Sequence, residues 1–136
     1  MRRILWLGNG IIGAMISLVT ASHGSDLARP NLALRQMVEA MPTGQRQEVR
    51  VLTATFKPGD RTVTHTHRFP VTVYVLEGDF TLELDGREPI VVKAGEALVE
   101  PPLVKMTGYN RSASKPTRVV IFYVSDSDTP FLDLTH

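Results

Sequence analysis

Gly59-Asp60-Arg61-Thr62-Val63-Thr64-His65-Thr66-His67 leads through Arg68-Phe69-Pro70 into Val71-Thr72-Val73-Tyr74-Val75-Leu76-Glu77 and, after Gly78-Asp79, into Phe80-Thr81-Leu82-Glu83-Leu84. Both runs alternate apolar and polar residues with period two, so each reads as a strand with one buried face. Gly78-Asp79 between them is the length of a tight loop, which predicts a hairpin. Upstream, Glu48 to Phe56 alternates in the same way until Lys57-Pro58-Gly59-Asp60 breaks it. Downstream, short strands are expected at Ile90 to Val92, Ala97 to Glu100, Val104 to Tyr109 and Arg118 to Val124, separated by turn residues. Strands at this spacing, with no helix long enough for a crossover, predict an all-β antiparallel sandwich or barrel. Leu32 to Met41 fits either period; an edge strand is the expectation there.

The two ends differ in character. Arg2 and Arg3 precede an uncharged apolar stretch from Ile4 to Val19, and Val19-Thr20-Ala21 offers the small residues that a signal peptidase reads. A helix over that stretch would span about 24 Å, short of a hydrocarbon core of about 30 Å. The expected organisation is a signal peptide helix over 1–21, an N-terminal extension with an edge strand over 22–46, a β-barrel over 47–124 and a C-terminal tail over 125–136. Localisation would then be periplasmic or secreted, with the membrane met only through the export signal. With 15 Lys+Arg against 14 Asp+Glu, the 136-residue chain has no basic field for a phosphate backbone, so nucleic acid is not an expected partner. The absence of cysteine rules out disulfides, thiolate metal sites and cysteine nucleophiles. A metal would have to be held by histidine, carboxylate or methionine.

His65 and His67 stand at i and i+2 on an extended segment, so both imidazoles point to one face, as a shared metal requires. His23 falls in the new terminus left by cleavage, and His136 is the last residue, where side chains are seldom well placed. Five residues separate Gly59 from His65 and five separate Gly95 from Pro101, with Gly78 closing the first pattern and Asn110 the second. These stretches resemble the two motifs of the cupin superfamily, a small jelly-roll barrel, over roughly residues 47 to 124. The resemblance assigns Gly59, His65, His67 and Gly78 to the first motif and Gly95, Pro101 and Asn110 to the second. The chain departs from the family pattern at three places. Val71 stands where the family has a glutamate ligand, Met106 where it has a third histidine, and Leu103 where it has a glycine after the proline.

Glu77 shares a face with Val71 but lies about 20 Å further along the strand, too far to replace the missing carboxylate. The expected metal set is therefore His65, His67 and Met106. Such a nitrogen and thioether set leans toward copper among the divalent or copper ions that a cupin might take. Val71, Val73 and Asn110 are the expected lining of a substrate pocket, whereas Tyr74 and Tyr109 alternate away from the histidines. Two functions stay open. One is an oxygenase- or isomerase-like metal enzyme acting on a small molecule through His65 and His67. The other is a cupin that has lost its metal and binds a small ligand without transforming it. Exposed sheet edges favour a homodimer in either case.

Overall fold

The computed structural model describes Gly24 and residues 27–135; the expected signal segment, His23 and His136 lie outside the described residues. The chain divides into Met1–Pro30 and Asn31–His136, and the second unit holds all of the regular structure described here.

Nine strands follow in order: β1 (Gln47–Phe56), β2 (His65–Thr66), β3 (Val71–Glu77), β4 (Asp79–Leu84), β5 (Ile90–Lys93), β6 (Ala97–Glu100), β7 (Met106–Tyr109), β8 (Thr117–Asp126) and β9 (Asp133–Leu134). They form a four-stranded sheet in the order β1-β8-β3-β6 and a five-stranded sheet in the order β5-β4-β7-β2-β9. Neighbours in both sheets are antiparallel, and no helix occurs among the described residues. The core lies between the sheets. Val71, Val73 and Val75 of β3 with Val119 and Tyr123 of β8 pack against Phe80, Leu82 and Leu84 of β4 and Met106 of β7. These are the inward positions of the alternating runs, as period two requires.

The hairpin expected at Gly78-Asp79 does not form. β3 bonds to β6 and β8, whereas β4 bonds to β5 and β7, so Gly78 carries the chain from one sheet to the other. Its φ is +73°, and a Cβ there would lie 2.4 Å from the Pro116 carbonyl oxygen, so only glycine fits this corner. Both flanking runs are apolar on one face, and alternation alone says nothing of which partner each takes. The hairpin in this region instead joins β4 to β5, with Leu82 opposite Ile90.

Residues 31–46 form no strand, contrary to the expected edge strand. Leu34, Val38 and Met41 line a shallow groove of about 290 Å³ together with the outward-facing Thr72, Val99, Phe122 and Val124. Side chains, rather than a backbone ladder, hold the segment there, and Met37 points away, 94% exposed. The stretch expected as a C-terminal tail contains the end of β8 and the whole of β9, which pairs with β2 through Thr66 and Asp133.

Candidate metal centre

Two turns aim the strands of the site. Asp60 closes the first, accepting from the Lys57 amide at 2.8 Å while its own amide donates to the Lys57 carbonyl at 3.0 Å. Glu96 repeats the device with Lys93, at 2.9 Å for both bonds. From the first turn the chain enters β2, held between β7 on one side and β9 on the other. His65 and His67 both face inward and are 5% and 1% exposed.

The tautomer of each ring is fixed by its surroundings. His65 Nδ1 donates to the Val63 carbonyl at 2.7 Å, and His67 Nδ1 donates to the Phe131 carbonyl at 2.6 Å. A neutral imidazole that spends its proton on Nδ1 presents only a lone pair at Nε2. The two Nε2 atoms nevertheless stand 3.1 Å apart, and His67 Nε2 is 3.1 Å from Glu100 Oε2. Acceptors set side by side in a buried space repel unless a positive charge, a proton or a metal ion, lies between them. Burial holds His65 below the usual imidazole value, and the His67 ring adds to that shift against the opposing pulls of the Val63 carbonyl and Glu100. Nδ1 bonded to a carbonyl with Nε2 free is the arrangement by which proteins orient a histidine toward a metal. The donor set present, two imidazoles and a carboxylate, thus fits a divalent ion. His65, His67 and Glu100 form a row with His67 in the middle; among the described residues no three such side chains already surround a single point as a bound ion requires.

Glu100 is the residue that sequence reasoning missed. It sits on β6 directly opposite Val71 of β3, the position at which cupins carry their glutamate. Directly opposed residues share a face with Cβ atoms about 5 Å apart, so a carboxylate moved one strand sideways still reaches the same space. A signal was available: Leu98 and Glu100 share a face by period two, and an acid two residues from a core leucine is rarely buried without a partner. Glu77, by contrast, lies at the surface, 3.9 Å from Arg118.

The cavity at the imidazoles measures about 60 Å³, and Val73, Glu100 and Phe131 are among its lining residues. Phe131 packs on His67 with ring centroids 4.9 Å apart and on Tyr123 at 5.6 Å. Burial raises the Tyr123 phenol above its ordinary value. Met106, opposite His65 on β7 and opposite Leu84 on β4, is buried in the core and does not line this cavity. Val71 is fully buried beside Glu100 and likewise does not line it. Asn110 is committed elsewhere. Its Nδ2 lies 3.1, 3.1 and 2.8 Å from the carbonyls of Phe56, Lys57 and Lys115, and its Oδ1 accepts from the Ser112 amide at 3.0 Å. It ties the end of β1 to the loop before β8, and no polar hydrogen remains for a ligand.

Among solved structures, a conserved Klebsiella pneumoniae protein with a double-stranded β-helix domain matches with a TM-score of 0.56 and 18% identity, over 85% of this chain and 95% of that one. An RmlC-like cupin from Shewanella frigidimarina matches with a TM-score of 0.51 and 19% identity, over 74% and 95%. The DMSP lyase DddQ of Ruegeria pomeroyi matches with a TM-score of 0.56 and 17% identity, over 64% of this chain but only 43% of the lyase. At these identities the likeness is one of fold. No curated protein matches the chain in sequence. The family described as Cupin domain matches residues 52–123, more than half of the chain and both histidine-bearing and proline-bearing motifs. The chain belongs to the cupin superfamily.

Proposed function

We propose that this cupin is a metal-dependent enzyme of the oxygenase-like class, with His65, His67 and Glu100 holding one divalent ion. The observation that carries the reading is the 3.1 Å approach of two Nε2 atoms whose Nδ1 protons are both spent on backbone carbonyls. A bound ion would supply Lewis-acid chemistry or the activation of water or dioxygen, and two histidines with one carboxylate suit non-haem Fe(II). With no thioether lining the cavity among the described residues, the donors favour such an ion over Cu(I). The chain's own contributions are orientation and dryness. The Val63 and Phe131 carbonyls fix both rings, Glu100 supplies the negative charge, and apolar walls exclude bulk water from the reacting space. A second reading, a small-ligand binder that works without metal, draws on the open row of the three side chains.

Metal content decides between the two. Purified protein offered Fe(II), Mn, Co, Ni or Zn under nitrogen is expected to retain one ion per chain, and His65→Ala and His67→Ala to retain none. Indifference of all three proteins to every ion would end the enzyme reading and leave the binder. We propose export as well, on the pattern of residues 1–21; a mature chain beginning at Ser22 by mass spectrometry is the expected result. A homodimer is the expected assembly. β1 is the outer strand of its sheet and leaves Val49 and Val51 68% and 60% exposed, so Val51→Lys should shift the mass measured by light scattering to that of a monomer.

A further inference from the structure

The segment after β8 folds back over the imidazoles and lines their cavity with Phe131 and Leu132. Phe131 supplies both its ring, against His67, and its carbonyl, to His67 Nδ1. Three ties hold the segment in place. Arg68 grips Asp133 with two bonds of 2.9 Å, Arg50 Nη2 donates to the Thr129 carbonyl at 2.9 Å, and β9 pairs with β2. Arg50 also lies over the Tyr123 ring at 4.8 Å, so the same guanidinium supports the aromatic floor on which Phe131 rests. Beneath this cap about 60 Å³ remains. A water needs about 10–15 Å³ by that measure, and pockets for drug-sized ligands run to about 300–1,000 Å³. The space accommodates a few heavy atoms. Apart from Thr62, whose hydroxyl oxygen accepts from the Gly108 amide at 2.9 Å, its other side-chain walls, among them Phe56, Val73, Phe80, Val119 and Ile121, are apolar, and among the described residues no lysine or arginine lines it. An anion entering would be stripped of water with Glu100 as its neighbour and no cationic side chain among the described residues to meet it.

We infer that the centre admits only small molecules that carry no negative charge, and that Phe131 is the residue that sets their size. The inference rests on the reading of His65, His67 and Glu100 as the functional centre, and it adds the class of compound that reaches them.

The test uses the whole chain, without added metal, and three probes: xenon, benzene and acetate. Binding is followed by the methyl NMR signals of Val73, Val119 and Ile121. The wild type is expected to take xenon and to leave benzene out. Phe131→Ala is expected to bind benzene at least tenfold more tightly than the wild type, and Phe131→Leu, which keeps an apolar wall and guards against a folding defect, to fall between them. Acetate is expected to move none of these signals in any of the three proteins. Equal benzene affinity in wild type and Phe131→Ala, xenon absent from both, or acetate moving the same signals overturns the inference. Metal titration of the same samples separates this failure from that of the metal reading. Protein that binds benzene only after the substitution but holds no ion keeps the size limit and loses the metal, and protein that holds an ion with benzene indifferent to residue 131 does the reverse.

Discussion

Moving the carboxylate back to its family position is the most searching perturbation that the structure offers. Glu100→Val removes the one acid that lines the cavity among the described residues, and the further change Val71→Glu places one directly across the β3–β6 ladder. Loss of an outer hydrogen-bond partner of a metal ligand typically costs about 10–100-fold in affinity, so loss of the anionic ligand itself should cost no less than about 100-fold. At a metal concentration of 100 times the wild-type dissociation constant, binding stabilises the wild type by about 2.7 kcal/mol. With affinity lowered 100-fold, the same concentration stabilises Glu100→Val by only about 0.4 kcal/mol. At about 4 °C per kcal/mol for a domain of this size, the metal-induced rise in Tm should fall from about 11 °C to about 2 °C. Differential scanning fluorimetry with Co(II) or Zn(II) reads both values. The double variant Val71→Glu with Glu100→Val should regain at least half of the wild-type shift. An undiminished shift in Glu100→Val would show that Glu100 is not a ligand, and a folded double variant with no recovery would refute the equivalence of the two positions.

Leu103 adopts a φ of +62° at the place where cupins carry glycine, and it is 75% exposed. Relief of about 1–2 kcal/mol of left-handed strain against about 0.5–1 kcal/mol of glycine entropy makes Leu103→Gly stabilising by roughly 0.5–1 kcal/mol, read as a higher urea midpoint. Asn110→Ala should cost about 3 kcal/mol, because two N–H donations shared among three carbonyls and the Oδ1 bond from the Ser112 amide are lost at about 1 kcal/mol each, and metal affinity should not change. Equal loss of metal affinity would instead give Asn110 a role at the centre. His65 sits below its ordinary value of 6.5, so between its lowered value and 6.5 the unfolded chain holds more protons than the folded one. Metal-free protein should therefore lose stability as pH falls below 6.5, and His65→Gln should lose less over the same range in urea titrations.

Period two and turn chemistry were enough to place the longer strands of the barrel, though not β9. The alternation at Val71, Val73 and Val75 appears in the structure as a buried face, and strand ends fall close to where the sequence puts them. Pairing was not legible. Gly78 looks like half of a hairpin loop in sequence, and only the approach of Pro116, 38 residues further on, shows why the chain turns the corner there. The segment 31–46 failed for a related reason. Its apolar residues are spaced to cover a sheet face, and covering a face needs no backbone ladder, so the side-chain pattern of a strand appears without the strand.

The site divides along the same line. His65 and His67 are two residues apart, and neighbours on one strand share a face by local geometry alone, so their convergence followed from sequence. Glu100 and Phe131 reach them through the register of β3 on β6 and through the return of the chain after β8, neither of which leaves a local mark. A search for the missing acid along the strand of Val71 finds only Glu77, whose carboxylate is 52% exposed at the surface. In a sheet the near neighbours of a position lie across the ladder, about 5 Å away, whereas the next residue on the same face of its own strand is about 6.6 Å away. A ligand lost from one strand is thus replaced with least movement from the strand beside it, and a departure such as Val71 says little about the centre until its cross-strand partner is known. By the same reasoning the thioether of Met106, although opposite His65, is no substitute for a third imidazole here: its side chain is taken up by the core beside Leu84, and the carboxylate beside His67 comes from the other sheet.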